Sequence, residues 1–101
     1  MGLTIFEKSV LDSVKNISCG KLTTYRLLAR SIGRPKAVRA VGNALRKNSE
    51  LVKVPCHRVV RSDGKLGGYL AGVRKKLLLL EKEGIKFERN KIKDLKKYIQ
   101  Q

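Results

Sequence analysis

Two breaks, at Cys19-Gly20 and at Gly33-Arg34-Pro35, cut the first half of this sequence into helix-length pieces. Helices shorter than about 12–15 residues are marginal in water, so each piece must bury its apolar face against the others. Thr4 with Glu7 three residues on has the spacing of a capping box and opens the first piece. Val10, Leu11, Val14 and Ile17 continue it on one face. Thr23 or Thr24 caps a second helix through Arg30, with Leu27, Leu28 and Ile32 inward. A third is predicted from about Lys36 to Arg46, with Val38, Val41 and Leu45 inward and Lys36, Arg39, Asn43 and Arg46 outward. Two short helices about a glycine-containing turn, the second with a basic, amide-bearing outer face, outline a helix-turn-helix. A plain solvated face in so basic a protein would carry the same stripe.

Beyond Asn48 the pattern is irregular as far as Gly72, with short extended pieces around Val54 and Arg58-Val59-Val60 and a turn at Ser62-Asp63-Gly64. A last core helix spans about Val73 to Glu83, with Val73, Leu77 and Leu80 periodic and Gly84 as its stop. A short basic helix around Asp94 to Ile99 follows. The fold class is mainly α. Residues 1–87 are expected to form the domain that carries the function, and 88–101 a basic C-terminal extension.

The 101 residues suit one domain. Twenty-four Lys and Arg against eight Asp and Glu give 24 − 8 = +16, a self-repulsion that an anionic partner would relieve. Nucleic acid leads the candidates, ahead of a membrane surface. A Lys-rich surface of the kind found in thermophiles is the alternative reading. No apolar run approaches the roughly 20 residues needed to cross a bilayer, and the start MGLTIFEKSV lacks the sections of a signal peptide, so the expected location is the cytoplasm. Cys19 and Cys56 are expected to stay reduced there. With one histidine and no C-x-x-C, no metal site is expected.

Cys56 lies in Val54-Pro55-Cys56-His57-Arg58-Val59-Val60. The thiolate is the nucleophile, and His57, Arg58 and Lys53 would lower its pKa if they converge in space. A buried structural cysteine is the competing reading. Glu81, four residues after Leu77, interrupts the apolar face of the last helix, and a buried carboxylate needs a partner. Two readings stand open: a Glu81–His57–Cys56 relay that takes the thiol proton, or an ordinary salt bridge from Glu81 to Lys75, Lys82 or another surface cation.

Pro55-Cys56-His57-Arg58-Val59, preceded by Arg39-Ala40-Val41-Gly42-Asn43 and Arg46-Lys47-Asn48, and followed by Gly67-Gly68-Tyr69 and by Lys75, Leu78, Leu79 and Glu81, resembles the DNA-binding and active-site domain of the O6-alkylguanine-DNA alkyltransferases. The resemblance covers about Thr4 to Phe87. It implies a winged helix-turn-helix-like fold docked in the minor groove of double-stranded DNA. The implied activity is base flipping and irreversible transfer of an alkyl group from guanine O6 to Cys56, once per molecule, with no cofactor and no metal. Within that resemblance His57 and Glu81 match the relay, acting through a water, and Asn48 the residue bracing the active-site turn. Tyr25 matches the tyrosine that helps rotate the nucleotide and supports the leaving guanine. Arg39 matches the arginine that replaces the flipped base, while Lys36, Asn43 and Arg46 share its DNA-facing helix. Tyr69, Val59 and Gly68 match the base pocket. The working form implied is a monomer, with a separate repair protein as a possible partner.

Two departures qualify the match. Many relatives carry a further N-terminal domain, whereas this sequence opens on the DNA-binding domain. Leu70 stands where many have a smaller or polar residue. The rival reading is an alkyltransferase-like protein, which binds and flips alkylguanine, flags it for excision repair and lacks the acceptor cysteine. A general nucleic-acid packaging protein would account for the charge but not for the Cys-His-Glu set.

Overall fold

The computed structural model describes residues 2–100. Its elements are α1 (Ile5–Val14), β1 (Thr23–Thr24), α2 (Tyr25–Ser31), α3 (Val38–Leu45), a 3-10 turn (Cys56–Arg58), β2 (Val59–Val60), α4 (Val73–Lys82), β3 (Phe87–Glu88), β4 (Lys91–Ile92) and α5 (Leu95–Tyr98). Its regular structure is mainly helical, as the apolar spacing predicts, and four two-residue strands join the helices. No helix among the described residues is long and apolar enough to cross a membrane.

The predicted capping box forms in both directions: Glu7 N–H donates to Thr4 Oγ1 at 3.0 Å and Thr4 N–H to Glu7 Oε1 at 2.9 Å. Thr24 is the cap of α2, its Oγ1 accepting from Leu27 N–H at 3.0 Å. Gly33 ends that helix with φ +76°, which lets Arg34 N–H reach back to Ala29 O at 2.9 Å. Helices α1, α2 and α3 bury Val10, Val14, Leu28, Val41 and Leu45 in one cluster together with Val54, Cys56 and Val59. The prospective site is therefore part of the helical core.

β1 and β2 pair in parallel, Thr23 with Val59 and Thr24 with Val60. That short ladder joins the start of α2 to the end of the Cys56 turn, and so brings Tyr25 beside Cys56. Behind it a second cluster gathers Leu22, Val60, Leu80, Ile85, Ile92 and Tyr98.

Two expectations change here. Helix α4 is rotated about its axis: Val73 is half exposed and Leu77 only partly covered, while Lys76 and Leu80 are fully buried. A lysine holds the inward position because its ammonium finds acceptors there, as described below. The boundary read at residue 87 falls inside β3, and the segment beyond it packs on the same body. Ile92 and Tyr98 are buried, Leu22 N–H donates to Tyr98 O at 2.8 Å, and Gln100 N–H donates to Leu22 O at 2.9 Å. The many lysines of this stretch masked a one-sided apolar pattern of Ile92, Leu95, Tyr98 and Ile99.

Candidate active site

Asn48, buried just beyond α3, holds the turn that presents the cysteine. Its Nδ2 donates to Val54 O at 2.8 Å and lies 3.3 Å from Cys56 Sγ, and its Oδ1 accepts from Glu50 N–H at 2.9 Å. Within this turn Val52 has φ +72°, a left-handed conformation that costs a β-branched residue on the order of 1–3 kcal/mol. The Asn48 bonds offset that strain.

Cys56 is 5% exposed and forms part of the wall of a cavity of about 660 Å³. Tyr25, Arg39, Asn43, Arg46, Gly68 and Tyr69 line the same cavity, so most of the residues singled out from the sequence converge on one place. Lys36 does not; it is exposed in the turn before α3. Val59 is wholly buried beneath the site. Leu70 stands at the cavity edge, more than half exposed. Gly67 is required where it stands: its φ is +75°, and an added Cβ would fall 2.7 Å from the Tyr25 hydroxyl.

Burial pushes the Cys56 thiol above its ordinary range, against the opposing pull of the Asn48 hydrogen bond and the Lys76 charge. The convergence of His57, Arg58 and Lys53 on the thiol does not occur. Lys53 is exposed beside Glu50, and Arg58 is committed to Glu83. A thiol of this kind needs a base to take its proton.

His57 is fully buried, with Tyr69 edge-on to it at 6.3 Å between ring centroids. Its Nε2 is 2.8 Å from Glu83 Oε2. The expected partner, Glu81, is exposed and forms no ion pair among the described residues. The rotation of α4 is the reason. Lys76, Leu80 and Glu83 follow one another at four and three residues along the inward face, whereas Leu77 and Glu81 lie on the outward one. Glu83 also receives Arg58 Nε and an Arg58 terminal nitrogen, each at 2.8 Å, while the other terminal nitrogen donates to Ile17 O at 2.7 Å. Burial alone would raise the Glu83 carboxyl, but the hydrogen bonds from Arg58 and His57 outweigh it and hold the carboxyl below its usual range. Glu83 is thus an ionised acceptor, and His57 carries its proton on Nε2. Nδ1 is buried with no partner among the described residues. Burial also depresses the His57 pKa despite the opposing pull of Glu83, so the ring is neutral at neutral pH, with a free lone pair.

Lys76, a residue that hydrophobic periodicity does not place inward, lies under the cavity floor with 0% exposure. Its ammonium donates to Val59 O at 2.7 Å, to Gly68 O at 3.1 Å and to Leu66 O, three acceptors for three N–H groups. It also lies 5.7 Å from the centre of the Tyr25 ring. Burial lowers its pKa to about 8, opposed by the charge of Cys56. The lysine ties the Tyr69 loop to the strand that follows Cys56. Its position seven residues before Glu83 marks the inward face of α4 and was the available signal for both residues.

The chain matches the family described as 6-O-methylguanine DNA methyltransferase, DNA binding domain, over residues 5–85. It is 48% identical over 81 residues to a methylated-DNA–protein-cysteine methyltransferase of Methanosarcina acetivorans, covering 80% of this chain and 52% of that one. Among solved structures it resembles Mycobacterium tuberculosis OGT in complex with DNA, with a TM-score of 0.79 and 41% identity over 81% of this chain and 51% of that one. It also resembles S. pombe Atl1 in complex with damaged DNA containing O6-carboxymethylguanine. There the TM-score is 0.86 and the identity 32%, over 100% of this chain and 99% of that one. The chain spans from about a quarter to about half the length of the curated relatives it matches. By its sequence and its fold alike, the chain belongs to the 6-O-methylguanine DNA methyltransferase DNA-binding-domain family.

Proposed function

We propose that the protein binds double-stranded DNA, extrudes an O6-alkylguanine into the cavity beside Cys56 and transfers the alkyl group irreversibly to the Cys56 sulfur. The observation carrying this reading is the placement of Cys56 in the cavity wall, held by Asn48 and next in sequence to a neutral histidine backed by Glu83. A target atom inside the base stack is out of reach of a side chain, so the nucleotide must leave the duplex, at a cost of a few kcal/mol. Arg39 on α3 fills the gap in the stack, and Asn43 and Arg46 contact the neighbouring minor-groove surface. His57 Nδ1 takes the thiol proton through a water. The thiolate then attacks the alkyl carbon, the C–S bond forms as the C–O6 bond breaks, and the electron pair leaves with the guanine. Tyr25 supports that leaving base. Burial holds its phenol, like that of Tyr69, in the protonated donor form, and the Cys56 charge adds to the effect. The thioether is stable, so each molecule reacts once, as a monomer and without a cofactor.

A second reading, lesion sensing without transfer, is favoured by one observation: the likeness to Atl1 extends over 99% of that chain, including the segment beyond residue 87. Intact-protein mass separates the two. After mixing with a duplex containing one O6-methylguanine, transfer adds one methyl group, mapped to Cys56 and absent from Cys56→Ser. Lesion-selective binding without any mass gain would replace transfer by sensing.

A further inference from the structure

Arg61, Gly67 and Val73 line two cavities, one on each side of the loop that carries Tyr69. The first is the site already described. The second, also about 660 Å³, is lined by the outward face of α4 and by the β3–β4 hairpin. Its apolar surface includes Leu66, Leu77 and Phe87. Lys65, Arg74, Arg89 and Lys91 also line it, and none of these four enters an ion pair among the described residues. Glu81 is its sole carboxylate.

Four cations grouped on one groove repel each other, and an anion seated among them offsets that repulsion. Arg89 sits in the hairpin turn, where Arg89 and Asn90 both have positive φ, at 51° and 65°. An aromatic ring beside such cations is the arrangement on which unpaired bases stack in single-strand binders. The loop between the two cavities includes Gly67 and Gly68, and an added Cβ on Gly68 would meet nothing within 4 Å. A nucleic-acid backbone can therefore cross this loop closely.

We propose that this groove is a second nucleotide subsite, which takes one unstacked nucleotide of a single strand, its base against Phe87 and its phosphates on Arg74, Arg89 and Lys91. The inference rests on reading the first cavity as the pocket for an extruded base. That continuity favours nucleic acid over an acidic peptide, which the cations alone would also attract.

Fluorescence anisotropy with a single-stranded thymidine oligonucleotide of about twelve residues, and with a duplex of the same length, tests the assignment. The Arg74→Gln/Arg89→Gln double variant should weaken single-strand binding about tenfold or more and duplex binding about twofold or less. Phe87→Leu, which keeps an apolar side chain in the hairpin, should weaken single-strand binding about fivefold through lost stacking. Lys8→Gln/Lys96→Gln removes the same charge elsewhere and should cost about twofold or less. Equal losses in the two double variants would overturn the subsite and leave only diffuse charge. Displacement of the oligonucleotide by a glutamate decapeptide, with Phe87→Leu behaving as wild type, would overturn it in favour of a protein partner. The Cys56 mass measurement on the same proteins is read separately. Mass gain with a groove that makes no difference to the strand removes this inference alone. No mass gain with the groove pattern intact removes transfer alone.

Discussion

The carboxylate of Glu83 lies 2.8 Å from Nε2 of His57, and Arg58 grips it from the other side with two bonds of 2.8 Å. One acid thus fixes both the tautomer of the base and the guanidinium of the residue that follows it. Glu83→Gln should slow single-turnover transfer by about 10²-fold or more, the scale of a lost general base. Glu81→Gln should remain within about twofold. Quenched-flow measurement of the methyl-protein yield decides between them.

Acid should stop the reaction by protonating His57. Burial lowers its folded pKa below the ordinary 6.5, so the free lone pair survives through neutral pH and is lost only beneath that value. The same shift acts on stability. The unfolded chain binds the proton more readily, so the contribution of neutral His57 is complete above about pH 6.5 and is lost as pH falls through the folded pKa. A pH series of transfer rates and of urea melts checks both. A rate that rises on acidification would refute the assigned role.

Lys76→Met should destabilise the fold by about 3 kcal/mol, because three buried carbonyl oxygens lose their donor. The pH dependence should change with it. In the wild type Lys76 titrates at about 8 when folded against 10.5 when unfolded, so the unfolded chain holds more protons between these values, and this lysine makes stability rise with pH across that window. The variant should lack that rise in urea melts between about pH 8 and 10.

Gly67→Ala should narrow the base pocket and lower stability by about 1–2 kcal/mol, since its φ of +75° is left-handed and its methyl group would meet the Tyr25 ring. Gly68→Ala, with open space around its Cβ, should melt within about 0.5 kcal/mol of the wild type. Thermal melts of the two variants, with lesion-binding affinity alongside, separate the effects.

Asn48→Ala removes the donor to Val54 O and the contact to Sγ, and should cost about 1–3 kcal/mol in urea melts together with a drop in transfer rate. Val52→Asn relieves the left-handed residue in the same turn. It should raise stability by about 0.5–1 kcal/mol and leave transfer within about twofold.

What could be read in advance followed local rules. Thr4 with Glu7 and Thr24 with Leu27 cap their helices through contacts three residues apart, and Gly33 stops α2 because only glycine enters left-handed geometry without strain. The gathering of Tyr25, Arg39, Asn43, Arg46, Cys56 and Tyr69 came from the family resemblance, since no spacing rule brings residues so far apart in sequence together. The misreading of α4 came from treating hydrophobicity as the sole guide to the inward face. A buried lysine satisfied by three carbonyls inverts that rule, and it carried the acid from Glu81 to Glu83. The packing of the segment beyond residue 87 is hidden in the sequence because its basic residues outnumber its apolar ones, although the latter share one side.

Residues 92–100 complete the surroundings of Leu22: Tyr98 accepts its N–H, Gln100 donates to its carbonyl, and the Gln100 side chain fastens Asn16 and Ser18. During synthesis, therefore, the nascent polypeptide cannot close its second core when the Cys56 turn emerges. Leu22, Val60 and Leu80 share their cluster with Ile85 but lack the cover of Ile92 and Tyr98 until α5 is translated. A chain ending between residues 87 and 92 would contain every residue of the candidate site yet lack Ile92 and Tyr98, leaving one side of the second cluster open, the kind of surface from which aggregation starts.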